Sequence, residues 1–286
     1  MSKKNIIGIA VAAALALGAS GVALATPVNV DGVVFDPAQT NNPILQSINF
    51  RESSVSSTSP TLTGYGVIAS LNGVSPVNVP PGIFCPGCSL TFTFTYTYLS
   101  PPPGAPANLA EFTNGTINFY VVPDSANSGT GFQVSNPSSA TYGKPWLTLS
   151  GKTIPLADLP QPQANWYEDG QLYAQIFGGS VSSPGNGSSG FGYLDVTGGT
   201  AGKYFKTGSQ LDGTDLFLNS SFQVASGNNI CQAGICYPIA GQGGLTGLLM
   251  MPVAVPEPGE LGLLGLGLGM LGFFGWRRRK EAEEKA

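Results

Sequence analysis

The stretch LTFTFTYTYL, residues 90–99, sets Leu90, Phe92, Phe94, Tyr96 and Tyr98 at every second position, with Thr91, Thr93, Thr95 and Thr97 between them. Alternation this strict identifies a β-strand, because successive strand side chains point to opposite faces of a sheet. The aromatic row is expected to bury against a second sheet, while β-branched Thr suits a solvated pleated face. Working outward, weaker strand patterns occupy residues 65–71, 115–122, 146–149, 171–177, 190–196 and 215–224. Six Asn-Gly or Asp-Gly steps punctuate them, beginning at Asp31, Asn72, Asn114, Asp169, Asn186 and Asp212. Such pairs tolerate the positive φ of tight hairpin turns and so favour antiparallel pairing. No segment between the two ends keeps an amphipathic helical period for three turns. The fold class expected is all-β, an antiparallel β-sandwich or jelly-roll-like domain over residues 26–252. Residues 101–106 form a stiff proline connector and 182–189 a flexible Gly/Ser excursion.

Composition removes many functions. Between residues 26 and 258 there are five basic and twelve acidic side chains, a net charge of −7. An acidic surface lacks the Lys/Arg stripe that releases counterions from phosphate, so no nucleic-acid partner is expected. The chain contains no histidine, which excludes Ser-His-Asp and Cys-His catalysis and most zinc sites. Gly151-Lys152-Thr153 resembles the end of a phosphate loop, but Trp146 stands where the earlier glycine is needed and Pro155 blocks the following helix. No Gly-x-Ser-x-Gly step occurs. No cofactor and no metal is expected, and Asp212-Gly-Thr-Asp215 reads as a tight turn rather than a calcium loop.

Without histidine, acid–base chemistry would fall to carboxylates. The candidates are Glu168 and Asp169 beside Trp166 and Tyr167, with Asp195, Asp212 and Asp215 elsewhere. Neighbouring residues on a strand point to opposite faces, so Glu168 and Asp169 are poorly placed as the two carboxyls of a glycosidase. Trp146, Trp166 and Tyr167 are candidate sugar-contacting aromatics, since the apolar faces of sugar rings stack on π-systems. Four cysteines stand as Cys85-Pro-Gly-Cys88 and Cys231-Gln-Ala-Gly-Ile-Cys236. Two local disulfides, Cys85 with Cys88 and Cys231 with Cys236, are expected, and a cross-linked pairing is the alternative.

The two ends carry the addressing information. Lys3 and Lys4 precede an apolar run from residue 6 to 17, closed by Ala23, Leu24 and Ala25 before Thr26. This order is that of a secretory signal peptide over residues 1–25, with Ala23 and Ala25 fitting the peptidase groove and the mature chain starting at Thr26. Export in turn places the cysteines where disulfides persist. At the other end, residues 261–276 hold no charge and six glycines, and Arg277, Arg278, Arg279 and Lys280 follow at once. A helix of that length rises ~24 Å, just spanning a bilayer if its flanks sit in the interface. The basic cluster acts as a stop and stays on the cytoplasmic side, leaving residues 281–286 as a cytoplasmic tail.

Val255, Pro256, Glu257 and Pro258, followed by the Gly/Leu span and the arginines, resemble the PEP-CTERM sorting signal of Gram-negative bacteria over residues 253–280. The resemblance implies that a membrane-embedded exosortase cuts near the Pro-Glu-Pro step. The protein would first be anchored in the inner membrane and then released towards the exopolysaccharide layer. Cys85-Pro-Gly-Cys88 leading into the aromatic/Thr strand is similar to flocculation-associated members. A non-enzymatic surface or matrix protein supporting floc or biofilm cohesion is therefore expected, with exosortase and exopolysaccharide as partners. A secreted carboxylate-dependent polysaccharide hydrolase is the alternative.

Overall fold

The aromatic/Thr stretch lies in a twelve-residue strand, β5 (Cys88–Leu99), at the centre of one large sheet. The computed structural model describes residues 27–38, 43–73, 84–99, 108–127, 132–153, 170–226 and 229–250, all within one unit, residues 25–251. A first hairpin joins β1 (Val28–Val30) to β2 (Val33–Phe35) through Asp31 and Gly32, whose φ values of 53° and 92° are those of a two-residue hairpin turn. The sheet then runs through β3 (Leu45–Glu52), β4 (Thr61–Leu71), β5 and β6 (Leu109–Pro123). The next position is shared by two short strands, β7 (Leu147–Lys152) and β8 (Leu172–Gln175). Both pair with β6 on one side and with β9 (Ser188–Gly198) on the other, at different levels along those long strands. β10 (Leu216–Val224) follows, and a small hairpin, β11 (Ile230–Gln232) with β12 (Ile235–Tyr237), precedes β13 (Ile239–Gly247).

The architecture departs from the expected sandwich. β10 pairs with both β9 and β13, and β13 pairs with β3, so the sheet closes on itself as an antiparallel barrel with neighbours in chain order. The physical reason is the accumulated twist and tilt of a meander with eight strand positions, which brings the last strand against the first and removes both edges. Inward side chains therefore meet one another across a lumen instead of across a gap between two sheets.

Glycines make room for the aromatic rings within this barrel. Gly64 and Gly66 of β4 lie directly opposite Phe94 and Phe92 of β5, and Gly241 of β13 lies opposite Phe50 of β3. A Cβ on Gly66 would come within 2.5 Å of the Phe92 ring and one on Gly115 would overlap the Tyr96 ring, so each ring occupies space that any other residue would fill. Asn114-Gly115 is not the hairpin turn expected from the sequence. Both residues lie within β6, where the register skips between Thr95 and Thr97, and Asn114 adopts φ 51°. This bulge keeps the apolar phase of β6 facing inward on both sides of it. Asp212-Gly213 likewise forms part of a short 3-10 turn before β10 rather than a hairpin.

The Thr face is only partly solvated. Thr95 is exposed, but Thr91 is fully buried and its hydroxyl donates to the Ala140 carbonyl at 2.7 Å, because the segment around the 3-10 turn Pro137–Ala140 covers it. The same segment covers Tyr65, on the outer face of β4, whose hydroxyl donates to the Val134 carbonyl at 2.6 Å.

Candidate functional site

The inward faces of β3, β4, β5, β6, β8, β10 and β13 enclose a cavity of about 80 Å³. Its walls are mainly apolar, with Phe50, Phe92, Phe94, Phe119 and Ile68 prominent among them. Four polar side chains also line it: Glu52, Tyr96, Ser47 and Ser220. Neither the Tyr96 hydroxyl nor the Ser47 hydroxyl has a hydrogen-bond partner among the described residues, although both are buried. A space of this size has room for about two or three waters, which such groups would engage. Glu52 is only 8% exposed, and burial raises its carboxyl pKa to about 8, so it holds its proton at neutral pH. Burial also pushes the Tyr96 phenol upward.

A second, smaller cavity of about 40 Å³ shares Glu52 and is closed by Leu62, Phe112, Ile176 and Val181. Among the described residues, no other carboxylate lines either space. Hydrolysis of a glycosidic bond by a carboxylate pair therefore finds only one of its two groups in the lumen. Glu52 was not among the carboxylates singled out from the sequence. Counted by alternation from Leu45 and Ser47, Glu52 falls on the outer face; a register shift within β3, between Gln46 and Asn49, turns it inward with Phe50.

Those sequence candidates that are among the described residues are dispersed. Trp146, a candidate to contact sugar, is instead a core residue: it is 1% exposed, its indole N–H donates to the Val30 carbonyl at 3.0 Å, and its ring packs edge-on against Phe35 and Phe205. A ring enclosed in this way anchors the β1–β2 hairpin and the one-turn helix Gly202–Phe205 beside β7, and offers no face to a sugar. Trp166, Tyr167, Glu168 and Asp169 lie outside the described residues. Asp195 sits on the outer face of β9, opposite in direction to buried Leu194 and Val196. Asp215 is buried and structural, its carboxylate accepting the Val196 N–H at 2.8 Å and the Gly208 N–H at 2.7 Å. Asp212 adopts φ 54°, and its carboxylate stands 3.6 Å from the Lys152 ammonium. Among the described residues, no three Cys, Asp or Glu side chains gather in a way that could hold a metal ion.

Both local disulfides are present. Cys85–Cys88 closes the turn that leads into β5, with Cα atoms 5.2 Å apart. Cys231–Cys236 joins directly opposed residues of the β11–β12 hairpin, with Cα atoms 4.0 Å apart. The second pair braces a hairpin too short to be stable alone, and Gln232 beside it accepts the Ser138 N–H at 2.9 Å, tying the hairpin to the segment over Thr91.

The addressing segments, with Ala23, Ala25 and Thr26 at one end and Val255 through Lys280 at the other, lie outside the described residues. Among the described residues, no helix is long and apolar enough to cross a membrane. No curated protein and no solved structure matches the chain. A family model does match at the C-terminal end, over residues 254–280, and its description is the PEP-CTERM protein-sorting motif. The match contains Val255, Pro256, Glu257, Pro258, the glycine-rich apolar run, Arg277, Arg278, Arg279 and Lys280. A motif of this kind implies export, a transient C-terminal membrane anchor and processing by an exosortase. The chain thus carries a PEP-CTERM protein-sorting motif at residues 254–280, C-terminal in sequence to an antiparallel β-barrel.

Proposed function

We propose that this is a non-enzymatic surface or matrix protein of a Gram-negative bacterium, released by exosortase cleavage near Pro256 to Pro258 and retained in the exopolysaccharide, where it supports floc or biofilm cohesion. The observation that carries the reading is the sorting motif at residues 254–280, placed directly after a barrel containing two disulfides. The disulfides fit an oxidising destination, and a sheet without open edges fits a protein that must stay folded at high local concentration without pairing strand to strand. A membrane segment weakened by six glycines fits a processing substrate better than a permanent anchor.

Intact mass of the protein recovered from cells and from medium tests the processing step. The released form is expected to start near Thr26 and to lack Arg277 to Lys280; released molecules that still carry those arginines would sink the proposal. Deletion of the gene is expected to weaken aggregation and the retention of exopolysaccharide, and unaltered aggregation would count against the matrix role. Sugar release from polysaccharide by the purified protein would restore the hydrolase alternative.

A further inference from the structure

The outer face of β10, β13 and β3 carries a groove formed by two clefts of about 360 and 300 Å³, which meet at Ser221 and Gln242. Strand register fixes its layout. Asn219 of β10 faces Gly244 of β13, which in turn faces Gln46 of β3. Two residues along, Ser221 faces Gln242, and two further along Gln223 faces Ala240. Strands lie ~4.8 Å apart and alternate residues ~6.6 Å apart, so these side chains form a compact lattice on one exposed surface. Gly244 leaves its floor low between Asn219 and Gln46, Ala240 lies between Gln223 and Arg51, whose side chain is outside the lining of both clefts, and Asn186 overhangs one end from the turn before β9.

Three properties of this groove select its ligand. Asn49, Asn186, Asn219, Gln223 and Gln242 are all exposed, and their side-chain amides have no hydrogen-bond partner among the described residues. More deeply placed amides are engaged within the fold, as where the buried Asn72 amide donates to the Asp36 carbonyl and the half-buried Asn118 oxygen accepts the Thr148 hydroxyl. No charged side chain lines either cleft among the described residues, which disfavours phosphate-bearing or carboxylated polymers. Phe222 is the one aromatic residue in the lining, so the surface lacks the Trp, Tyr and Arg anchors on which protein partners depend. An amide offers two N–H donors and an acceptor oxygen, and a sugar hydroxyl both donates and accepts, so a row of amides in an uncharged groove matches a chain of hydroxyls.

We infer that this groove binds a neutral polysaccharide, with Asn219, Gln242 and Gln223 donating to and accepting from its ring hydroxyls across β10 and β13. The inference rests on the matrix reading for its setting and names the class of matrix component held. Each cleft is within the ~300–1,000 Å³ range of small-ligand sites, and together they accommodate more than one sugar unit.

Affinity electrophoresis of the protein recovered from medium, through gels containing dextran, galactomannan or xyloglucan, tests this directly, with alginate as the acidic comparator. Retardation is expected in at least one neutral gel and not in alginate. The Asn219→Ala/Gln242→Ala variant is expected to bind at least ~10-fold more weakly, since it loses two hydrogen-bonding amides. Thr95→Ala, exposed on β5 away from the groove, serves as the control and is expected to bind unchanged, all forms having matching thermal midpoints. Migration unaffected by all three neutral polymers, equal retardation by alginate, or full binding by the double variant would overturn the inference. An aggregation defect on gene deletion without gel retardation would sink the groove alone; retardation without an aggregation defect would sink the matrix role alone.

Discussion

On the wall built from β4, β5 and β6, the lumen is filled by Phe92, Phe94, Tyr96, Ile117 and Phe119, and glycines across the ladder make way for the rings. On the wall built from β10, β13 and β3, four of the nine residues of β13 are glycine, and the outer surface carries a lattice of amides and hydroxyls. The first wall supplies the apolar area removed from water, the main favourable term in folding. The second supplies closure, because only a strand with few side chains can approach Phe50 and the β10 backbone closely enough to complete the ladder. Stability and surface chemistry are thereby assigned to different sides of one barrel.

The sharpest test of that division is Phe92→Ala, which removes a ring packed against Phe94 and Phe119. It should cost about 3–5 kcal/mol in a urea unfolding experiment; a loss below about 1 kcal/mol would mean that the aromatic wall does not carry the core. Next comes Glu52, the carboxyl on the inner face of β3. Its folded pKa of about 8 lies above the ordinary 4.5, so the folded state binds the proton more tightly. Its contribution is therefore fully present below pH 4.5, falls as pH rises, and is lost above pH 8. Glu52→Gln should match the parent near pH 4.5 and exceed it by on the order of 4 kcal/mol above pH 8. Parallel stability–pH curves for the two proteins would show that this carboxyl is not held in the apolar lumen.

On the glycine wall, Gly241→Val forces a side chain against the Phe50 ring and the Ser221 carbonyl. A loss of about 1–3 kcal/mol in the denaturant midpoint is expected, against near-neutrality if β13 had slack. The smallest effect belongs to the bulge of β6. Asn114→Ala keeps the chain at φ 51° without the asparagine that tolerates it and should cost about 1–2 kcal/mol, whereas Asn114→Gly should cost little. Equal losses for both would place the strain elsewhere.

How far the two walls could be read in advance differs for the same reason. β5 was legible because its residues alternate without interruption, and β4, β6, β7, β8, β9 and β10 were each located in part from weaker alternation. β13 was not: IAGQGGLTG has too few side chains to show a period, although its pairing with both β10 and β3 closes the barrel. β3 was hidden by its register shift, which takes Glu52 out of phase with Leu45. Both disulfides were foreseen as local loops. Trp146 was open to two readings because a tryptophan before a strand looks the same whether it faces solvent or core; its burial depends on the distant Val30, Phe35 and Phe205.

What the chain alone determined is local or linear: the strand at residues 90–99, the Asp31-Gly32 hairpin, the near-neighbour cysteine pairs, and an address read as an ordered string of Pro-Glu-Pro, apolar span and arginines. These need no distant partner, since each is set by covalent spacing and side-chain type. Tertiary structure alone decided that the sheet is a barrel, that Glu52 keeps its proton, and that amides from three strands share one groove. Those outcomes depend on which strands become neighbours, and neighbour choice emerges only when twist, bulges and glycine clearance act together over the whole sheet.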